Sequence, residues 1–190
     1  MNTSFMSKSN EEMPNSRPVS FSKTIMTELI MPNDTNPLGN LMGGNLMRWM
    51  DIAGGICAGR HCGTLVVTAS VDHVNFKRAI RLGDVITITA TVTKAFNTSV
   101  EVYLEVTTTS LRGGIPEKSN HAFMTFVAID TESKLPTKVP KVELETKAQA
   151  KLAEAASRRR EVRLIISGRM KAEDASDLRA YFGQMDESEN

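Results

Sequence analysis

The sequence predicts an α+β domain in which one long apolar helix is enclosed by a curved antiparallel sheet, followed by a charged, mainly helical C-terminal extension. Three observations carry this prediction. Between Asn45 and His61 the apolar residues cover almost every direction of a helical wheel, and only Arg48, Asp51 and Arg60 carry charge, the mark of a helix wrapped on most sides. After Gly63 the chain becomes β-branched, with apolar and polar residues alternating in runs separated by turn residues, as in a sheet with one packed face. Beyond Pro140 the composition turns to Lys, Glu, Ala and Arg. The 190 residues suffice for one domain with a substantial core. They divide into a disordered tail over 1–18, a folded domain over 19–140 and the extension over 141–190.

The tail is rich in Ser, Asn, Glu and Pro without periodicity, so order is expected to begin near Val19. Residues 20–31 alternate, with Phe21, Ile25 and Leu29 sharing a face, and read as a first strand ended by Pro32. Residues 33–41 have turn chemistry and deliver the chain to Gly43 and Gly44, where the helix begins. A strand over 65–76 places Val67, Ala69, Val71 and His73 on one face. Leu82, Gly83 and Asp84 turn the chain into a strictly alternating strand over 85–96, and Asn97 with Thr98 turns it again. The strand over 99–110 sets Val100, Val102, Leu104 and Val106 against Glu101, Tyr103 and Glu105. Gly113 and Gly114 break it before a last strand over 121–130, giving the order β, α, β, β, β, β. In the extension, 143–160 reads as a solvated helix and 174–182 as a shorter one. Residues 161–170 between them read either as a strand, by propensity, or as an interface segment.

A net charge of +1 excludes a nucleic-acid partner bound by bulk electrostatics. Cys57 and Cys62 are too few for a disulfide framework or a structural zinc site and are expected to be reduced thiols. No apolar run approaches the roughly 20 residues that span a bilayer, and the polar N-terminus carries no signal-peptide core. The expectation is a soluble cytoplasmic protein with no membrane or nucleic-acid partner.

The candidate chemistry lies between Asn36 and His61. At the helix start, Gly43 and Gly44 present unpaired N–H groups at the positive end of the dipole, which favours negative charge, including that developing on a carbonyl oxygen in acyl transfer. Asp51 lies two turns further in. It reads either as a catalytic carboxylate or as a surface acid paired with Arg48 at i,i+3, an interaction of about 0.2–0.5 kcal/mol. Asn36 alone reads as a turn residue. His61 reads as a cation complementing the helix C-terminus, His73 as a strand histidine and Cys57 as a small core residue. Lys77, Arg78 and Arg81 form either a solvated edge or a phosphate clamp, and Gly113–Gly114 is a hairpin turn, since no helix follows it.

Over residues 20–130 the pieces Asn36-x-x-Gly39, Met42-Gly43-Gly44, Leu46-Met47, Met50-Asp51, Arg60-His61 and the run VTASVDHVNF over 67–76 resemble the hotdog-fold acyl-coenzyme A thioesterases of the cytosolic long-chain type. The resemblance implies hydrolysis of fatty acyl-CoA to free fatty acid and CoA, with Asn36 and Asp51 as catalytic residues. It further implies Gly43 and Gly44 at the carbonyl, and Asn75, Phe76, Lys77, Arg78 and Arg81 as CoA-binding candidates. No cofactor or metal is implied. The partners implied are acyl-CoA and further copies of the chain, as a dimer with sites between subunits and a trimer of dimers. Many members have His where this chain has Met42, so that position receives no role. Residues 1–18 and 160–190 lie outside the resemblance. The alternative is a non-catalytic module that binds acyl-CoA or lipid for sensing, and the presence of both Asn36 and Asp51 favours the enzyme.

Overall fold

The computed structural model describes residues 14–76 and 78–188. In chain order these form β1 (Ser16–Pro18), α1 (Val19–Ser22), β2 (Thr24–Leu29), α2 (Gly43–Cys62), β3 (Leu65–Phe76), β4 (Asp84–Ala95), β5 (Ser99–Ser110), β6 (Glu117–Ile129), β7 (Lys141–Glu143), α3 (Lys147–Ile166) and α4 (Ser176–Ser188). Five antiparallel strands in the order β2-β4-β5-β6-β3 wrap α2, and the short β1 and β7 pair in parallel beside them.

Alternation decides which side chains meet the helix. Ile86, Ile88, Ala90 and Val92 of β4, the even-numbered Val100 to Val106 of β5, and Met124 and Phe126 of β6 are buried with Leu46, Met50, Ala53 and Cys57 of α2. Phe126 is fully buried, and truncating such a ring to alanine costs about 3–5 kcal/mol. The helix approaches it closely at Gly54, where an added Cβ would stand 2.8 Å from the Phe126 ring.

Several sequence expectations change here. Residues 1–13 of the expected tail lie outside the described residues, while Ser16–Pro18 form β1 because β7 is there to pair with, and the predicted strand over 20–31 starts as the helical turn α1 before β2. On β3, Val67, Ala69 and Val71 are exposed, because this strand lies at the sheet edge and bulges at Thr68/Ser70 and Asp72/Asn75 break its alternation. Beside that edge, Asp51, Ile52 and Ile56 leave one flank of α2 open. Residues 161–166 continue α3 rather than forming a strand, and the helix ends only at Ser167 and Gly168, whose φ is 69°. Nor is α3 merely solvated. Arg159 makes bidentate bonds of 2.7 and 3.0 Å to the buried Glu101 of β5 and stacks over Phe123, clamping α3 to the sheet face away from α2. Glu161 accepts the N–H groups of Asp177 and Leu178, capping α4. Among the described residues no helix is long and apolar enough to cross a membrane.

Candidate active site

Asn36 sits in the loop before α2 and is held by its own turn. Its Oδ1 accepts the N–H of Leu38 at 3.0 Å and of Asn40 at 3.2 Å, while its N–H donates to the Asn40 carbonyl at 2.8 Å. A second bond, from the Met42 N–H to the Asp34 carbonyl at 2.9 Å, fixes where this loop hands over to the helix.

Met42 is an extended N-cap without a side-chain cap, and the N–H groups that return to its carbonyl are those of Asn45 and Leu46. The Gly43 and Gly44 amides therefore open the helix without intrahelical acceptors, at the positive end of a 20-residue dipole. No heavy atom stands within 4 Å of the position a Gly44 Cβ would take, so a ligand atom can come close.

Asp51 is exposed on the open flank of α2, and its Oδ1 accepts the Thr68 hydroxyl at 2.5 Å. Among the described residues no ion pair joins Asp51 to Arg48; the partner comes from β3 instead. This charge-assisted bond holds the carboxylate in one orientation while leaving it accessible to water, which suits a general base or nucleophile. Thr68 was not legible as a site residue, because threonine in a strand is what β-propensity alone supplies. No hydrogen bond among the described residues links Asn36 to Asp51 within one chain.

Beside Gly43 lies a cavity of about 410 Å³ bounded by Leu46, Phe76, Arg78, Ile80 and Asn120. An adjoining cleft of about 470 Å³ shares Arg78 and Ala79 with it and adds Arg81, Ser110 and the Gly113–Gly114 hairpin turn. Arg78 pairs with Glu117, and the Arg81 N–H donates to Asp84 at 2.8 Å. Asn75 pairs across to His121 in the β3–β6 register, whereas Lys77 lies outside the described residues.

The other end of α2 corrects the reading of His61. It is fully buried, its Nε2 lies 3.1 Å from the Pro140 carbonyl, and burial lowers its pKa, so it is a neutral core imidazole rather than a cation at the helix end. Cys57 and Cys62 are buried thiols, pushed up by desolvation to about 11 and about 12, well outside nucleophilic range at neutral pH.

A family profile described as the Thioesterase superfamily matches residues 38–114, from the loop before α2 to the turn after β5. An uncharacterized acyl-CoA thioester hydrolase of Bacillus subtilis, YkhA, is 37% identical over 148 residues, covering 78% of this chain and 86% of that one. The chain spans 36% of the length of the rat cytosolic acyl coenzyme A thioester hydrolase, at 37% identity. The crystal structure of an apo hexameric acyl-CoA thioesterase superposes with a TM-score of 0.77 at 38% identity, covering 81% of this chain and 98% of that one. An acyl-CoA hydrolase of Staphylococcus aureus, solved with butyryl-CoA, CoA and CoA disulfide, superposes with a TM-score of 0.75 at 31% identity over 80% of this chain and 94% of that one. The same enzyme has been solved with an asparagine, an aspartate or a threonine changed to alanine, three residues spaced along its chain as Asn36, Asp51 and Thr68 are along this one.

Proposed function

The chain belongs to the thioesterase superfamily, among its hotdog-fold acyl-CoA thioester hydrolases, and on that premise we propose that it cleaves fatty acyl-CoA to fatty acid and CoA with Asp51 as the catalytic carboxylate. The observation that carries this reading is the Thr68–Asp51 hydrogen bond on an exposed flank of an otherwise packed helix. The thioester carbonyl accepts from the Gly43 and Gly44 amides, which stabilise the oxyanion as water attacks the carbonyl carbon. Asp51 takes the water proton, or attacks directly to form an anhydride that water opens; the C–S bond breaks and the CoA thiolate leaves, to be protonated. Asn36 orients water or the carbonyl.

Spacing supports a site shared between subunits. Along α2, Gly43 and Asp51 stand about 12 Å apart at 1.5 Å per residue, too far for both to serve one carbonyl. The β3 edge, unpaired among the described residues, and the apolar flank of Ile52 and Ile56 provide the surface on which a second copy continues the sheet and brings its own helix start to Asp51. Such dimers assemble further into a trimer of dimers, a reading supported by the hexameric state of a relative. Residues 19–140 hold this machinery, and the described part of the extension, 141–188, braces its sheet. Asn75, Phe76, Lys77, Arg78 and Arg81 bind the nucleotide end of CoA.

Steady-state hydrolysis across a series of acyl-CoA lengths tests the activity, with turnover expected to favour fatty acyl chains. Binding without turnover across the whole series would replace this reading with the sensing module. Mixing Asp51→Asn with Asn36→Ala subunits tests the sharing: partial recovery of activity is expected, and none would place both residues in one subunit's site.

A further inference from the structure

One polar side chain stands in a row that is otherwise apolar. The β6 residues facing α2 are Ala122, Met124, Phe126 and Ala128, all almost completely buried, and Asn120 extends this row toward the helix N-terminus. Asn120 is 4% exposed, and among the described residues its Oδ1 has no hydrogen-bond partner. The adjacent Ser119, also buried, satisfies its hydroxyl on the Val106 carbonyl at 3.1 Å. The strand therefore pairs one buried polar side chain and, among the described residues, leaves the amide oxygen of its neighbour unpaired. An unpaired buried amide forfeits its bonds to water without replacement, a cost that an aliphatic residue at this position would avoid. The cavity that Asn120 lines begins at Gly43, and its wall includes Phe76, the cross-strand neighbour of Asn120.

We propose that Asn120 is a substrate-binding residue that hydrogen-bonds an amide of the pantetheine arm of acyl-CoA. The inference rests on the thioesterase reading and deepens it. The cavity that holds the helix start at Gly43 and Asn120 also holds Arg78 and Ala79, which line the polar cleft with Arg81 and Ser110 as well. The pantetheine arm links the same chemistries, from thioester sulfur through amides to phosphates. The fatty acyl chain has no group that answers a buried carboxamide, whereas a pantetheine amide does so in either orientation, because asparagine offers both an acceptor and donors. A site built this way penalises thioesters that lack the amide, since the buried polar group is then left unpaired.

The test compares the parent with Asn120→Leu, which keeps the branched shape and removes the polar atoms, on three thioesters of one fatty acid: CoA, pantetheine and S-ethyl. The KM for acyl-CoA and acyl-pantetheine is expected to rise about 3- to 10-fold, as for the loss of one neutral hydrogen bond. Turnover number should stay within about 2-fold, Tm should equal or exceed the parent's, and S-ethyl thioester hydrolysis should be unchanged. Asn120→Val repeats the comparison if leucine does not fold. An equal loss on the S-ethyl thioester or an unmoved KM would each overturn the inference. Failure of the parent to hydrolyse any acyl-CoA defeats the thioesterase reading itself. Parental turnover with an unmoved KM in the variant defeats only the role of Asn120.

Discussion

The two ends of α2 are built in opposite ways. At the C-terminal end Cys57, Ala58, His61 and Cys62 are fully buried, Gly63 closes the helix at φ 70°, and Arg17 donates to the carbonyls of Arg60 and His61. At the other end Met42 provides no cap, Gly43 and Gly44 are exposed, and the nearest space is cavity rather than core. The buried face of α2, enclosed completely at its C-terminal end, fixes the helix, so its open start and open flank can keep unpaired amides and a carboxylate within reach of a ligand without losing their position.

The largest effect expected at the open end, short of removing the carboxylate itself, comes from Thr68→Ala. A hydrogen bond to a charged group contributes about 1.5–3 kcal/mol, so turnover on fatty acyl-CoA should fall about 10- to 100-fold while circular dichroism and Tm stay near parental values. Turnover within a factor of two would mean that β3 does not position Asp51. A smaller effect is expected from Arg78→Ala combined with Arg81→Ala. Exposed ion pairs contribute about 0.2–1 kcal/mol each. KM for acyl-CoA should therefore rise about 2- to 10-fold with little change in turnover number, and the salt dependence of KM should weaken. An unchanged salt response would remove these arginines from the CoA site.

The closed end responds to pH instead, and more gently. Burial holds His61 neutral, with a pKa below its ordinary 6.5. Below about pH 6.5 the unfolded chain binds this proton and the folded chain resists it, so His61 lowers stability as pH falls through that window and leaves it unaffected above. Urea midpoints measured from pH 7.5 down to 5 should show this decline in the parent, and His61→Gln should lose that share of the slope. A steeper decline in the variant would reverse the assignment.

What was legible in the sequence follows physical range. The 3.6-residue and two-residue periods placed α2, β3 and β5 almost to the residue, because each pattern is set by its own side chains. Features set by distant partners were not legible. The exposure of Val67 and Val71 depends on β3 having no strand on its outer side among the described residues, and the helical state of 161–166 on continuity with α3 and the Glu161 cap on α4. The neutrality of His61 depends on how completely its ring is enclosed. In the site, Asp51 stood out as one of three charges on an apolar helix, and Asn36 only through its motif. Thr68 and Asn120 are ordinary strand residues until the sheet turns them toward α2.

The claim that the open end of α2 carries the chemistry while the closed end only anchors it is tested most directly by the turnover number of Asp51→Asn on fatty acyl-CoA, measured beside its Tm and oligomer mass. The amide keeps the side chain's shape and its bond to Thr68 but cannot accept a proton or attack. The expected result is a loss of about 100-fold or more in turnover, typical of a removed general base, with Tm and mass unchanged. Near-parental turnover in a folded, fully assembled variant would contradict it.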